Sequence, residues 1–163
     1  MEQLLVAMTW ISALGAALIA GVFFGFSTFV MTALGRRPPA EGIAAMQEIN
    51  LVVVRSGFIA VFVGTAIACT ALALLAGLRW DDPRIPYWLI GAALYVVGTF
   101  VLTIVRNVPL NDELAAVDPA GSEGAAVWSR YLVDWTWWNS VRTAASLAAT
   151  AAFILAIRTP AAP

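Results

Sequence analysis

The stretch LLVAMTWISALGAALIAGVFFGFSTFVMTAL, Leu4 to Leu34, carries no charged side chain. As a helix it would be about 46 Å long at roughly 1.5 Å per residue, more than the hydrocarbon core of a bilayer requires. Three further apolar runs follow, at about Leu51 to Leu78, Pro86 to Val105 and Trp138 to Ile157. Each reaches or approaches the roughly 20 residues that cross a membrane as a helix. With 61% hydrophobic and only 12% charged residues among 163, the composition is far from that of a water-soluble domain. The expected fold is all-α: a single integral membrane four-helix bundle with a partly helical loop between the third and fourth spans.

The chain begins Met1, Glu2, Gln3, with no basic segment ahead of the first run, and that run outlasts a signal-peptide core. It is therefore expected to be retained as a span. Net charge is −1, and no basic stripe is present that would neutralise phosphates, so nucleic acid is not an expected partner. The lone Cys69 sits inside the second run and reads as a small core residue. The chain has no histidine and no lysine. Serine–histidine triads, histidine-ligated haem, ordinary zinc sites and lysine Schiff bases each lack an essential residue type. Only carboxylates, arginine, amides, hydroxyls and aromatics remain for chemistry, and no metal or cofactor ligand set is expected.

The first run holds Gly15, then Gly21 and Gly25 in GxxxG spacing, which predicts a close helix contact there. Ser27, Thr28 and Thr32 add a mildly polar surface, and Gly35-Arg36-Arg37-Pro38-Pro39 stops the helix. Ile43, Met46, Ile49 and Val53 recur at helical spacing, predicting an amphipathic segment that leads straight into the second span. Glu41, Glu48 and Arg55 are separated by sevens; one continuous helix would align them and let Glu48 partly neutralise Arg55. Arg79 to Pro86 is a short connector, and Gly91 and Gly98 predict close packing of the third span.

The end of the third span reads Arg106-Asn107-Val108-Pro109-Leu110-Asn111. Pro109 disfavours helical geometry at Val108, so a break or turn is expected near Asn107. A second break is expected between Asp118 and Gly124. Beyond it Trp128, Tyr131, Trp135, Asn139, Arg142 and Ser146 follow steps of three or four, one stripe running from an interfacial segment into the fourth span. Trp137 and Trp138 fall on another face and suit an interfacial belt. Four crossings put both termini on one side of the cell membrane and the polar cluster on the other. Arg79, Arg84 and Arg158 balance Arg36, Arg37 and Arg130, so the positive-inside comparison ties and assigns no orientation.

A charged side chain within a span is costly, and one that is present usually faces the bundle interior and marks a functional site. The candidate site is accordingly the cluster of Arg55, Arg106, Asn107, Trp135, Asn139 and Arg142, with Trp128 and Tyr131 extending its aromatic stripe.

The segments Arg106 to Asn111 and Trp135 to Thr143, the Met46 to Asn50 stretch MQEIN and the four-span layout resemble the anthrone oxygenase-like family of small membrane proteins. The resemblance covers almost the whole chain. It implies oxidation of a polycyclic phenolic anthrone by molecular oxygen without a recognised cofactor. Carried onto this sequence, it implies a site of Asn107 and Asn111 with Trp135, Asn139 and Arg142. It also implies a histidine after Asn139, where this chain has Ser140.

An anthrone's methylene is acidic because deprotonation gives an extended aromatic phenolate that can pass an electron to oxygen. Arg142, Arg55 or Arg106 would stabilise that oxyanion, and Asn107, Asn111 or Asn139 would donate hydrogen bonds to it. Glu48 is the carboxylate best placed to act as base, ahead of Asp112, Glu113 and Asp134. The partners expected are thus the lipid bilayer, a hydrophobic aromatic small molecule and molecular oxygen, and a homo-oligomer is compatible with the pattern. Two other roles fit the same residues: a non-catalytic module binding a lipid, quinone or hydrophobic metabolite, and a structural or partner subunit whose arginines lock loops to the bundle.

Overall fold

A computed structural model describes residues 2–79 and 81–161. Among them the chain forms five helices, α1 (Glu2–Gly35), α2 (Pro39–Val53), α3 (Gly57–Ala76), α4 (Ile85–Ala115) and α5 (Gly124–Arg158). All except α2 are long and apolar enough to cross a membrane. The fold is an all-helical membrane bundle in which α5 packs on α1, α4 and α2, and α3 closes the ring between α1 and α4. Two apolar clusters fill it. One, around Ile19, Leu72, Tyr95 and Phe153, lies within the spans; the other, around Ile43, Met46, Leu114 and Trp128, joins α2 to the extended ends of α4 and α5.

The inner faces follow a strict helical rhythm. On α1 the buried residues Leu5, Thr9, Ser12, Ala16, Ile19 and Phe23 alternate steps of four and three. Gly21 and Gly25 fall off that face. A Cβ on Gly21 would meet nothing within 4 Å, and one on Gly25 would meet only Phe29 of the same helix, so the GxxxG pair does not form the expected contact. The close approaches are elsewhere: a Cβ on Gly15 would run into Thr65, one on Gly91 into Phe153 at 2.6 Å, and one on Gly98 into Ala145 at 2.9 Å.

Three boundaries differ from the sequence expectation. The second span does not begin at Leu51. Helix α2 runs to Val53, and α3 starts at Gly57 with the Ser56 hydroxyl accepting from Phe58 N at 3.2 Å, an N-cap that separates the two helices. Glu41, Glu48 and Arg55 therefore share no continuous helix; Glu41 pairs with Arg37 at 2.5 Å, and Glu48 makes no ion pair with Arg55. The third span does not break at Asn107. Wide π-type turns at Val96–Val101 and Thr103–Asn107 absorb Pro109, and Val108 stays helical at φ −62°, ψ −49°. The fourth span is part of one 35-residue helix that starts at Gly124, so most of the linking loop is helical and only residues 116–123 turn.

At the opposite end, Arg84 locks the chain's start to the α3–α4 connector. Its guanidinium donates to both Asp82 carboxylate oxygens at 2.9 and 2.6 Å and to both Glu2 oxygens at 2.6 and 2.9 Å, and stacks on Trp88 at 4.8 Å. The Arg84 hydrogen bonds hold the Asp82 carboxyl below the usual aspartate range, and Asp82 in turn raises Arg84.

Candidate functional site

The stripe on α5 continues unbroken from Gly124 through Trp128, Tyr131, Trp135, Asn139, Arg142 and Ser146 to Ala156, all buried. Its middle holds the one buried arginine of the spans among the described residues. Arg142 is 3% exposed. Its Nη2 donates to Asn139 Oδ1 at 2.7 Å and its Nη1 to Thr103 Oγ1 at 3.0 Å. The guanidinium carbon lies 4.0 Å from the ring centre of Phe23 and 5.3 Å from that of Trp135. Its Nε has no hydrogen-bond partner. Among the described residues no carboxylate comes within ion-pair reach of it; the ion pairs present involve Arg37, Arg79, Arg84 and Arg130.

Asn139 is the hub that ties this cation to α1. Fully buried, it donates from Nδ2 to Phe23 O and to Ser27 Oγ, both at 2.7 Å. Ser27 lies in a π-type turn, Phe26–Val30, and Thr103 in another, so the helices facing Arg142 from both sides are widened where they meet it. Ser27 also pairs with Ser140 at 2.9 Å, and Ser140 donates onward to Thr136 O at 2.8 Å. The position where the resemblance implies histidine is thus one hydroxyl away from Asn139.

Toward the α4–α5 connector, Asn111 Oδ1 accepts from both Tyr131 Oη and Trp135 Nε1 at 2.8 Å. This fixes a stack of Trp128, Tyr131 and Trp135 with ring centres 5.7 and 6.0 Å apart and planes within 15° and 23° of parallel. Asn107, buried, donates to Trp135 O at 3.3 Å; its Oδ1 has no partner, nor has Trp128 Nε1. Such orphaned polar atoms in a sealed interior are unusual and call for an explanation.

The structure therefore gathers Arg142, Asn139, Asn107, Asn111, Trp135, Tyr131 and Trp128 into one array, and leaves three sequence candidates outside it. Arg106 is exposed and stacks on Trp138 at 4.7 Å. Glu48 and Arg55 are both exposed and line a separate surface cavity of about 430 Å³. Of the other carboxylates, Glu113 pairs with Arg130 and Asp112 is exposed. Phe23, Ser27 and Thr103 complete the surroundings of Arg142. Ser27 stood out in the sequence only as part of a polar surface, and Phe23 carried no signal among so many apolar neighbours.

The model of the anthrone oxygenase family matches residues 51–152, well over half of the chain. The chain belongs to the anthrone oxygenase family. Comparisons with curated proteins and with solved structures returned no match. The family match takes in Thr103, Asn107, Asn111, Asn139 and Arg142, whereas Phe23 and Ser27, which hold Asn139 from the other side, lie ahead of it. An anthrone oxygenase family bundle of this kind presents a cation with neutral partners only, flanked by flat aromatic walls. Chemically it can stabilise an oxyanion on a planar ring system.

Proposed function

We propose that this protein is a cofactor-independent oxygenase of phenolic polycyclic compounds, with Arg142 as the oxyanion-binding group. The observation that carries the proposal is the state of Arg142: a buried guanidinium with an amide, a hydroxyl and two aromatic faces around it, and no counter-charge. A cation isolated in a low-dielectric interior is costly, and an anionic ligand would relieve that cost. The relief makes the site favour the phenolate over the neutral phenol, lowering the substrate's own pKa toward neutrality.

Deprotonation then needs no strong base beside the substrate. The methylene proton leaves to water, and the electron-rich anion passes an electron to dioxygen. Collapse of the resulting radical pair forms a carbon–oxygen bond; loss of water completes the carbonyl. Overall CH2 and O2 give C=O and H2O, so one oxygen atom enters the product, the other leaves as water, and no external reductant is consumed. Asn107 Oδ1 would accept a hydrogen bond from a hydroxyl of the substrate, and the Trp128–Tyr131–Trp135 stack would supply a wall to guide it.

Arg142 is buried with the Phe23 ring over its guanidinium, so entry of a ligand requires the side chains around it to move aside. The test is oxygen uptake by purified protein given a hydroxylated anthrone. Stoichiometric uptake above the spontaneous rate supports catalysis. Thermal protection by the anthrone with no added uptake would instead make the site a binding module.

A further inference from the structure

The residues that the fold removes from the Arg142 site suggest a second one. Glu48 near the end of α2 and Arg55 in the α2–α3 joint line one surface cavity of about 430 Å³, together with Leu51, Val52 and Ser56. Both charged side chains are exposed, and among the described residues neither takes part in an ion pair, with each other or with anything else. The cavity sits at the junction between α2 and α3, at the N-terminal end of a helix long and apolar enough to cross a membrane. Two of its other lining residues, Leu51 and Val52, are apolar and more than half exposed.

A ligand that suits this cavity carries a negative group for Arg55, a positive group for Glu48 and hydrocarbon for Leu51 and Val52. We propose that the cavity binds the headgroup of a zwitterionic, amine-bearing phospholipid, with phosphate on Arg55, the primary ammonium on Glu48 and the first acyl carbons over Leu51 and Val52. A guanidinium donates paired hydrogen bonds to phosphate oxygens, and a carboxylate accepts from an ammonium's N–H groups; both are charge-assisted and stronger than neutral pairs. A phosphocholine head has no N–H to donate, and a phosphoglycerol head has no cation, so the carboxylate makes the cavity selective and not merely phosphate-binding. The bound lipid would pin the α2–α3 joint, and with it the α2 side of the array on α5.

The experiment is native mass spectrometry of the full chain released from detergent micelles, titrated separately with dihexanoyl phosphatidylethanolamine, phosphatidylcholine and phosphatidylglycerol, and with free phosphoethanolamine. The expected result is one retained phosphatidylethanolamine per chain, bound at least tenfold tighter than phosphatidylglycerol. Arg55→Gln should weaken all three lipids at least tenfold, and Glu48→Gln should erase the preference for the amine head while leaving phosphate binding. Equal retention of phosphatidylethanolamine and phosphatidylglycerol by the wild type, or unchanged retention by Arg55→Gln, would overturn the proposal. Free phosphoethanolamine binding as tightly as the lipid would overturn the lipid assignment. Both side chains are exposed, so neither variant is expected to disturb folding.

Discussion

Arg142 and Asn139 sit one turn apart on α5, and the 2.7 Å bond from Nη2 to Oδ1 gives the buried guanidinium its closest polar partner, a neutral amide where a carboxylate would ordinarily stand. The same amide donates to Phe23 O and Ser27 Oγ, so one side chain both orients the cation and leaves its charge uncancelled. Replacing it with its acidic isostere separates those two duties. Asn139→Asp puts a negative charge beside Arg142 and removes both donors to α1. Affinity for an anionic phenol, followed by tryptophan quenching, should fall at least about tenfold, or roughly 1.4 kcal/mol. An unchanged affinity would mean that ligand charge is not read at Arg142.

Ser140 lies 2.9 Å from Ser27 and next to Asn139 in sequence, where the family resemblance implies histidine. Ser140→His should restore a proton acceptor near the site. The added rate of anthrone oxidation should be absent where the imidazole is protonated and should appear as pH rises through about 6.5, the ordinary histidine value. A rate–pH profile that matches the wild type would place the proton transfer elsewhere.

Helix packing can be tested without knowing the substrate. A Cβ on Gly91 would lie 2.6 Å from the Phe153 ring, which is fully buried, whereas one on Gly21 would meet nothing. Gly91→Ala should lower stability by about 1 to 3 kcal/mol, as overpacking does. Gly21→Ala should be neutral or slightly stabilising. Thermal unfolding in detergent compares the pair directly, and equal losses would contradict the assigned helix faces.

The Glu2–Arg84–Asp82 lock carries a pH dependence of defined sign. The folded state depresses the Asp82 carboxyl, so its contribution is fully present above the ordinary aspartate value near about 4 and is lost as pH falls through the lower folded value. Stability attributable to this group should therefore be flat from neutrality to about pH 5 and decline below it. Asp82→Asn should lower stability by about 2 to 4 kcal/mol at neutral pH and flatten that decline, because Arg84 then keeps only Glu2. An acid limb identical in both proteins would exclude Asp82 as its source.

The four spans and the α5 stripe were legible because a run of apolar residues and a three–four rhythm are local properties of the chain. Trp135, Asn139 and Arg142 fall on one face whatever the rest of the bundle does. Glu48 and Arg55 show where local reading stops: their spacing of seven implies a shared face only if the helix is continuous, and the Ser56 cap ends that continuity. Gly21 and Gly25 match a contact motif, yet the face that packs is set by Ile19 and Phe23, two residues earlier in each case. Pro109 reads as a breaker, but π-type turns ahead of it let the helix continue. Phe23, the ring closest to the Arg142 guanidinium, could be found only once α1 was placed against α5.

The claim that Arg142 is retained for an anionic substrate and not for the bundle's stability is tested most directly by Arg142→Met, read for thermal unfolding and for oxygen uptake with a hydroxylated anthrone in one preparation. Methionine keeps the apolar stem and removes a buried charge that has no counter-ion, so the unfolding free energy should stay within about 1 kcal/mol of wild type or rise. Oxygen uptake above the spontaneous rate should disappear. A variant that unfolds about 3 to 5 kcal/mol more easily, or one that consumes oxygen at the wild-type rate, would contradict the assignment.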